Sequence, residues 1–138
     1  MISVRKQEVV KLENVLHLYQ AVGWTNYTHQ PQMLEKSLSH SLAIYLALDG
    51  EAIVGLVRLV GDGFSSVFVQ DLIVLPSHQR QGIGSALMKE ALGDFKEVYQ
   101  IQLATEQTEK NLGFYRFLGF ETLSTYDCTG MIWVDRKR

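Results

Sequence analysis

The sequence predicts an α/β (α+β) fold: a mixed, mostly antiparallel sheet of about seven strands with helices on both faces, in a single domain over residues 1–138. Three observations predict it. Apolar runs of strand length follow one another between residues 42 and 75, the pattern of antiparallel hairpins. A strand, a helix and another strand then succeed one another, the pattern of a crossover unit. The 138 residues, 46% of them hydrophobic, suit one core.

The elements follow in order. Ile2 and Val4 alternate with polar neighbours as an opening strand, and Val9, Leu12, Val15, Leu16 and Tyr19 then recur at helical spacing until Gly23 stops them. Thr25 to His29 is polar and irregular, and Pro31 opens a short second helix through Met33, Leu34 and Leu38. Residues 42–48 and 53–60 pair as strands around Asp49-Gly50-Glu51, where glycine permits a tight turn. Gly61-Asp62-Gly63 turns the chain again into residues 66–75, SVFVQDLIVL, the most β-branched and aromatic stretch and the expected central strand. Gly82 to Leu92 places Ile83, Ala86, Leu87 and Ala91 on one helical face. Residues 99–104 form a strand, Thr108 to Leu118 a helix ended by Gly119, and residues 121–125 and 131–134 two last strands. The predicted order is βααβββαβαββ.

Composition excludes several classes. A formal net charge of -2 and an isoelectric point near 6.1 give no general attraction for nucleic acid or anionic membrane. Arg136, Lys137 and Arg138 form a basic cluster that reads as a solvated tail. No apolar run reaches the length of a membrane span and the opening residues lack a signal peptide's apolar stretch, so a soluble protein is expected. One cysteine fits a reducing, cytoplasmic setting. Cys128 has no histidine partner beside it, and His17, His29, His40 and His78 show no paired ligand spacing, so no metal is expected.

The chemistry centres on Gln79-Arg80-Gln81-Gly82-Ile83-Gly84, between the strongest strand and a strong helix. The first amides of a helix have no partner inside it, glycines at 82 and 84 allow close approach, and the helix end carries partial positive charge, so a phosphate group is the natural guest. The dinucleotide fingerprint fails because Leu87 stands where its third glycine would be. A P-loop fails because Ser85 and Ala86 follow Gly84.

The hexapeptide, preceded by Leu72-Ile73-Val74-Leu75-Pro76, resembles the Gln/Arg-x-x-Gly-x-Gly/Ala segment of the GCN5-related N-acetyltransferase superfamily. Tyr115, Gly119 and Phe120 match its later Tyr-x-x-x-Gly-Phe signature, and the element order matches that fold along essentially the whole chain. Gly23-Trp24-Thr25, Val60-Gly61-Asp62-Gly63, Gln70 to Val74 and Gly130 to Trp133 are similar to a bacterial subset related to plant plastid acetyltransferases.

The resemblance implies acetyl-coenzyme A as co-substrate, held by Ile73, Val74, Gln79, Arg80, Gln81, Gly82, Ile83, Gly84, Ser85, Asn111 and Tyr115. It suggests a small arylalkyl or alkyl amine, or a protein lysine, as acceptor. Many superfamily members carry asparagine seven residues before the tyrosine; Thr108 stands there, with Asn111 as a substitute. By the same resemblance Tyr115 is the general acid toward the departing sulfur, and an amide near Val74 faces the developing oxyanion.

An alkylamine must lose a proton before it attacks. Asp71 is the candidate base, with a structural hydrogen-bond acceptor as its other reading, and Glu106 a further candidate. His29 and His40 are expected at the surface. Trp24, Tyr27, Met131 and Trp133 are candidates for an apolar acceptor slot, or else core. Phe114, Phe117 and Phe120 read as aromatic packing. The alternative to an enzyme is an acetyl-CoA-binding sensor that transfers nothing. Either would act as monomer or homodimer, without nucleic acid or membrane.

Overall fold

A computed structural model describes residues 1–135; the basic cluster at 136–138 lies outside the described residues. The chain falls into two compact units, Met1–Leu103 and Ala104–Arg138.

The first unit is built on a sheet ordered β1-β2-β3-β4-β5, from β1 (Ile2–Lys6), β2 (Ala43–Asp49), β3 (Ala52–Gly61), β4 (Ser66–Val74) and β5 (Gln100–Leu103). Each of the first three pairings is antiparallel and β4 pairs with β5 in parallel. The crossover is made by α4 (Ile83–Asp94), as a parallel connection requires. The β2–β3 hairpin closes as read, with Asp49 opposite Ala52 and Gly50 at a φ of 63°.

Helix α1 (Leu12–Ala21) buries Val15, Leu18 and Tyr19, and α3 (Pro31–Ser39) buries Leu34 and Leu38, the i, i+3, i+4 spacing that turns one stripe inward. They pack with Ile44, Leu46, Leu48, Leu56 and Ile73 on one face of the sheet. Helix α4 covers the other face with Ile83, Leu87, Met88 and Ala91. A Cβ on Gly55 would lie 3.0 Å from the Ile73 carbonyl and 3.2 Å from Leu87 Cδ1, so helix and sheet meet there at glycine distance.

One residue reverses the alternation of β4. Arg58 faces Asp71 and Leu59 faces Val69, leaving Gln70 as a β-bulge. Val69, opposite Leu59, shares the face of Gly55 toward α4, whereas Asp71, opposite Arg58, turns toward α1. Without the extra residue Val69 and Asp71 would lie on the same side.

Between α1 and α3 the segment expected to be irregular forms a short helix, α2 (Thr25–Thr28), after Gly23 at a φ of 72°. The observed unit thus has three helices before β2 where two were expected.

The second unit contains α5 (Glu109–Phe117), capped by Thr108, whose hydroxyl accepts from the Asn111 amide at 3.1 Å, and a short 3-10 turn at Leu123–Tyr126. The two strands predicted at 121–125 and 131–134 are not formed among the described residues, so the sheet has five strands rather than about seven. The Thr122 hydroxyl bonds those of Ser124 and Thr125, so that a turn stands at 123–126 where extended backbone was expected through 125, and Asp127 closes it at a left-handed φ of 57°. Apolar alternation shows only that a strand would have an apolar face; it supplies no edge to pair with.

Candidate active site

In the first unit Asp71 is the hub of a buried polar network. Its carboxylate accepts from Tyr19 Oη at 2.8 Å, Tyr27 Oη at 2.8 Å and Arg58 Nε at 2.7 Å. Arg58 also donates to Ser41 Oγ at 3.2 Å and to Tyr27 Oη at 3.2 Å. The exposed bulge residue Gln70 reaches Tyr27 Oη at 3.4 Å. Arg58 and Asp71 come from neighbouring strands in register, and the tyrosines descend from α1 and α2 above them. Among the described residues every buried side-chain nitrogen and oxygen has a partner, as a buried charge pair needs.

Burial first, and then the Asp71 charge, push the hydroxyls of Tyr19 and Tyr27 above the ordinary tyrosine range. Burial opposes the Arg58 charge, but Asp71 beside it outweighs burial and raises its pKa. Trp24 joins the same wall, its ring 6.2 Å from Tyr19 and 6.3 Å from Tyr27. The structure therefore brings Asp71, Tyr27 and Trp24 together. Arg58 and Tyr19 were missed by sequence reasoning; the available signal was a pair of opposite charges embedded in consecutive apolar strands.

The predicted phosphate loop follows β4 directly. Leu75 N donates to Val54 O at 2.9 Å, a 3-10 turn spans Pro76–His78, and Gln79 Nε2 donates back to Val74 O at 3.0 Å. Arg80 and Gly82 both take left-handed backbone, with φ of 65° and 80°. Gly82 is the residue before α4, and no side chain caps that helix. The first amides, on Ile83, Gly84 and Ser85, are therefore left for an acceptor from outside, and no acidic residue stands in the first turn to compete. A Cβ at 82 would meet no protein atom within 4 Å, so its glycine answers to the φ angle and leaves the space above it open. These residues fit a pyrophosphate such as that of coenzyme A.

In the second unit Tyr115 and Asn111 share α5. Tyr115 packs edge-on against Phe114 at 5.0 Å and Phe120 at 5.9 Å, and burial raises its pKa. Its hydroxyl makes no hydrogen bond among the described residues. Thr108 is occupied as the α5 cap, and Asn111 donates its side-chain amide to Thr105 Oγ1 at 3.1 Å and to Glu106 O at 3.3 Å. Met131 and Trp133 belong to this unit, 95% and 78% exposed, outside regular structure. They are not core. His29, His40, Glu106 and Cys128 are exposed. Among the described residues no three His, Cys, Asp or Glu side chains gather to hold a metal ion, and no helix is long and apolar enough to cross a membrane.

A strand runs through a left-handed loop into an uncapped helix, on a sheet of four antiparallel strands and one parallel, an arrangement suited to hold an anionic group. The model of the acetyltransferase (GNAT) domain family matches residues 40–122, and the chain belongs to that family of acyltransferases. It is 30% identical over 138 residues to GCN5-related N-acetyltransferase 1, chloroplastic, of Arabidopsis thaliana, covering 97% of this chain and 68% of the relative. It is 32% identical over 95 residues to serotonin N-acetyltransferase 2, chloroplastic, of Oryza sativa subsp. japonica; this match covers 66% of the chain and 48% of the rice protein, so the chain matches about half the relative's length. An acetyltransferase of the GNAT family from Streptococcus pneumoniae TIGR4 superposes with a TM-score of 0.92 at 79% identity, over 99% of each chain. An aminoglycoside N-acetyltransferase in complex with CoA shares the fold at a TM-score of 0.71 and 18% identity, over 100% of this chain and 95% of its own.

Proposed function

We propose that residues 1–138 work as one N-acetyltransferase domain that moves the acetyl group of acetyl-CoA to a primary amine by direct attack. The acceptor is a small arylalkyl or alkyl amine or a protein lysine, and the setting is the cytoplasm, in keeping with a single exposed cysteine. The observation that carries the reading is the loop itself, where left-handed Arg80 and Gly82 lead into uncapped amides at the start of α4. Gln79 to Ser85 hold the pyrophosphate, with Ile73, Val74 and Asn111 along the rest of the carrier. Bound acetyl-CoA supplies the thioester carbonyl.

The chain's own residues then divide the work. The Val74 amide donates toward the oxygen on which charge develops. Tyr115, like any tyrosine, holds its proton at neutral pH, burial holds it more firmly still, and the proton is released to the departing sulfur. Asp71 is better suited to hold Tyr27 than to collect the amine's proton. Protonating it would leave Arg58, 5% exposed at its side chain, without its counter-charge. The proton therefore goes to water. Trp24 and Tyr27 offer an aromatic wall to the acceptor, and the rice relative's name, a serotonin N-acetyltransferase, supports an arylalkylamine.

The test is thiol release from acetyl-CoA across a panel of arylalkylamines, alkylamines, lysine peptides, polyamines and aminoglycosides. Release is expected with the first three classes, and Gly82→Glu/Gly84→Glu abolishes it. Tyr115→Phe lowers turnover at least tenfold with coenzyme A affinity kept, on the scale of acid catalysis. Binding without release favours a sensor, reaction with polyamines or aminoglycosides alone removes the aromatic slot, and unchanged turnover in Tyr115→Phe removes its acid role.

A further inference from the structure

The loop between β4 and α4 is useful as an anion cradle only while its left-handed residues are held in place. Arg80 has a side chain and still sits at a φ of 65°, a conformation that persists where surrounding contacts impose it. One contact reaches far along the chain. His78, just before the cradle, places Nε2 3.0 Å from Asp49 Oδ2 at the end of β2, across 29 residues of sequence. Its other ring nitrogen, Nδ1, lies 2.8 Å from Ser77 Oγ.

An ionised Asp49 can only accept, so His78 Nε2 carries the hydrogen, and Ser77 fixes the ring from its other side. The His78 side chain is 23% exposed and that of Asp49 43%, so the contact is partly sheltered. The hydrogen bond from His78 is the first cause that holds Asp49 below the ordinary carboxylate range, followed by the α-amino group of Met1, 3.3 Å away.

We propose that His78 is a positioning residue of the carrier-binding loop: clasped to Asp49, it fixes the start of the loop against the β2–β3 hairpin so that the amides from Arg80 onward are set before the pyrophosphate arrives. The role rests on the acetyl-CoA reading above. It acts on binding and leaves the chemical step alone, because neither His78 nor Asp49 belongs to the groups assigned to the transfer. A loop ordered in advance loses less freedom on binding, which is where the affinity comes from.

The experiment is calorimetric titration of coenzyme A, with steady-state kinetics beside it, on the unsubstituted chain, His78→Ala, His78→Gln, Asp49→Ala and His78→Ala/Asp49→Ala. Each alanine variant is expected to weaken coenzyme A about three- to tenfold and to raise KM for acetyl-CoA alike, with kcat within about twofold. The double variant is no weaker than either single one, since both break the same contact. Glutamine, whose Nε2 can still donate to Asp49, recovers most of the affinity. Equal affinity in His78→Ala, additive losses in the double variant, or a fall in kcat at constant KM overturns the role. Should His78→Ala fail to fold, weaker binding in Asp49→Ala than in His78→Gln supports the role, and equal binding in the two overturns it. If the unsubstituted chain binds no coenzyme A, the acetyl-transfer reading falls and this role with it; if it binds and the variants bind equally, this role alone falls.

Discussion

Replacing Asp71 with alanine removes the acceptor of three hydrogen bonds and leaves a guanidinium buried without a counter-charge. The side chains of Arg58 and Asp71 are 5% and 2% exposed, so water screens neither. Breaking a buried ion pair by removing one partner costs about 3–5 kcal/mol. Tyr19, fully buried, loses its acceptor as well, an effect of about 1–3 kcal/mol that partly overlaps the first because one carboxylate serves both. A loss of about 4–6 kcal/mol is expected, against about 7–20 kcal/mol for a chain of this length at the usual 0.05–0.15 kcal/mol per residue. In urea, with a slope of about 2 kcal/mol per molar, the unfolding midpoint falls by about 2–3 M. The companion variant Arg58→Met/Asp71→Leu removes both charges and is expected to lose clearly less than Asp71→Ala alone. A midpoint shift below about 0.5 M for Asp71→Ala, or a double variant equal to the sum of its singles, would refute the network as a source of stability.

Gly61 takes a φ of 133°, and an added Cβ would collide with the Ser66 carbonyl, so Gly61→Ala is expected to cost about 1–3 kcal/mol in urea unfolding; an unchanged midpoint refutes the turn's dependence on glycine. Asp62 accepts from the Ser65 hydroxyl and from the amides of Phe64, Ser65 and Ser66, which hold its carboxyl far below the ordinary range. A depressed folded-state pKa stabilises above the unfolded value, near about 3.9, and that stability is lost as pH falls toward the folded one. The gap in midpoint between the unsubstituted chain and Asp62→Asn should therefore be open at pH 7 and narrow below about pH 4; a gap constant down to pH 2 refutes it.

Much of the first unit was legible because it is local. Asp49-Gly50-Glu51 between two apolar runs marks a hairpin whatever surrounds it, and the stripe Val15, Leu18, Tyr19 marks a helix face. The turn from β4 into α4 was legible for the same reason, since Gly82, at its left-handed φ, stands beside the helix it opens. What depended on tertiary pairing was hidden. Arg58 and Asp71 are 13 residues apart, and only the bulge at Gln70 turns the aspartate toward the helix that carries Tyr19. The expected final strands erred in the opposite sense. Met131 to Val134 have the composition of a strand, and composition cannot create a neighbour.

The bulge at Gln70 also divides the loyalties of β4. Val67 and Val69 belong to the layer under α4, while Asp71 and Ile73 belong to the layer under α1 and α3. A slip of one position along β3 would therefore spoil two separate cores at once, setting valines against the arginine on one side and a carboxylate against leucines on the other. Most strands are kept in register by one buried face. This one has two, each checking the other, and the strand so doubly fixed is the one that delivers the chain into the left-handed loop before α4.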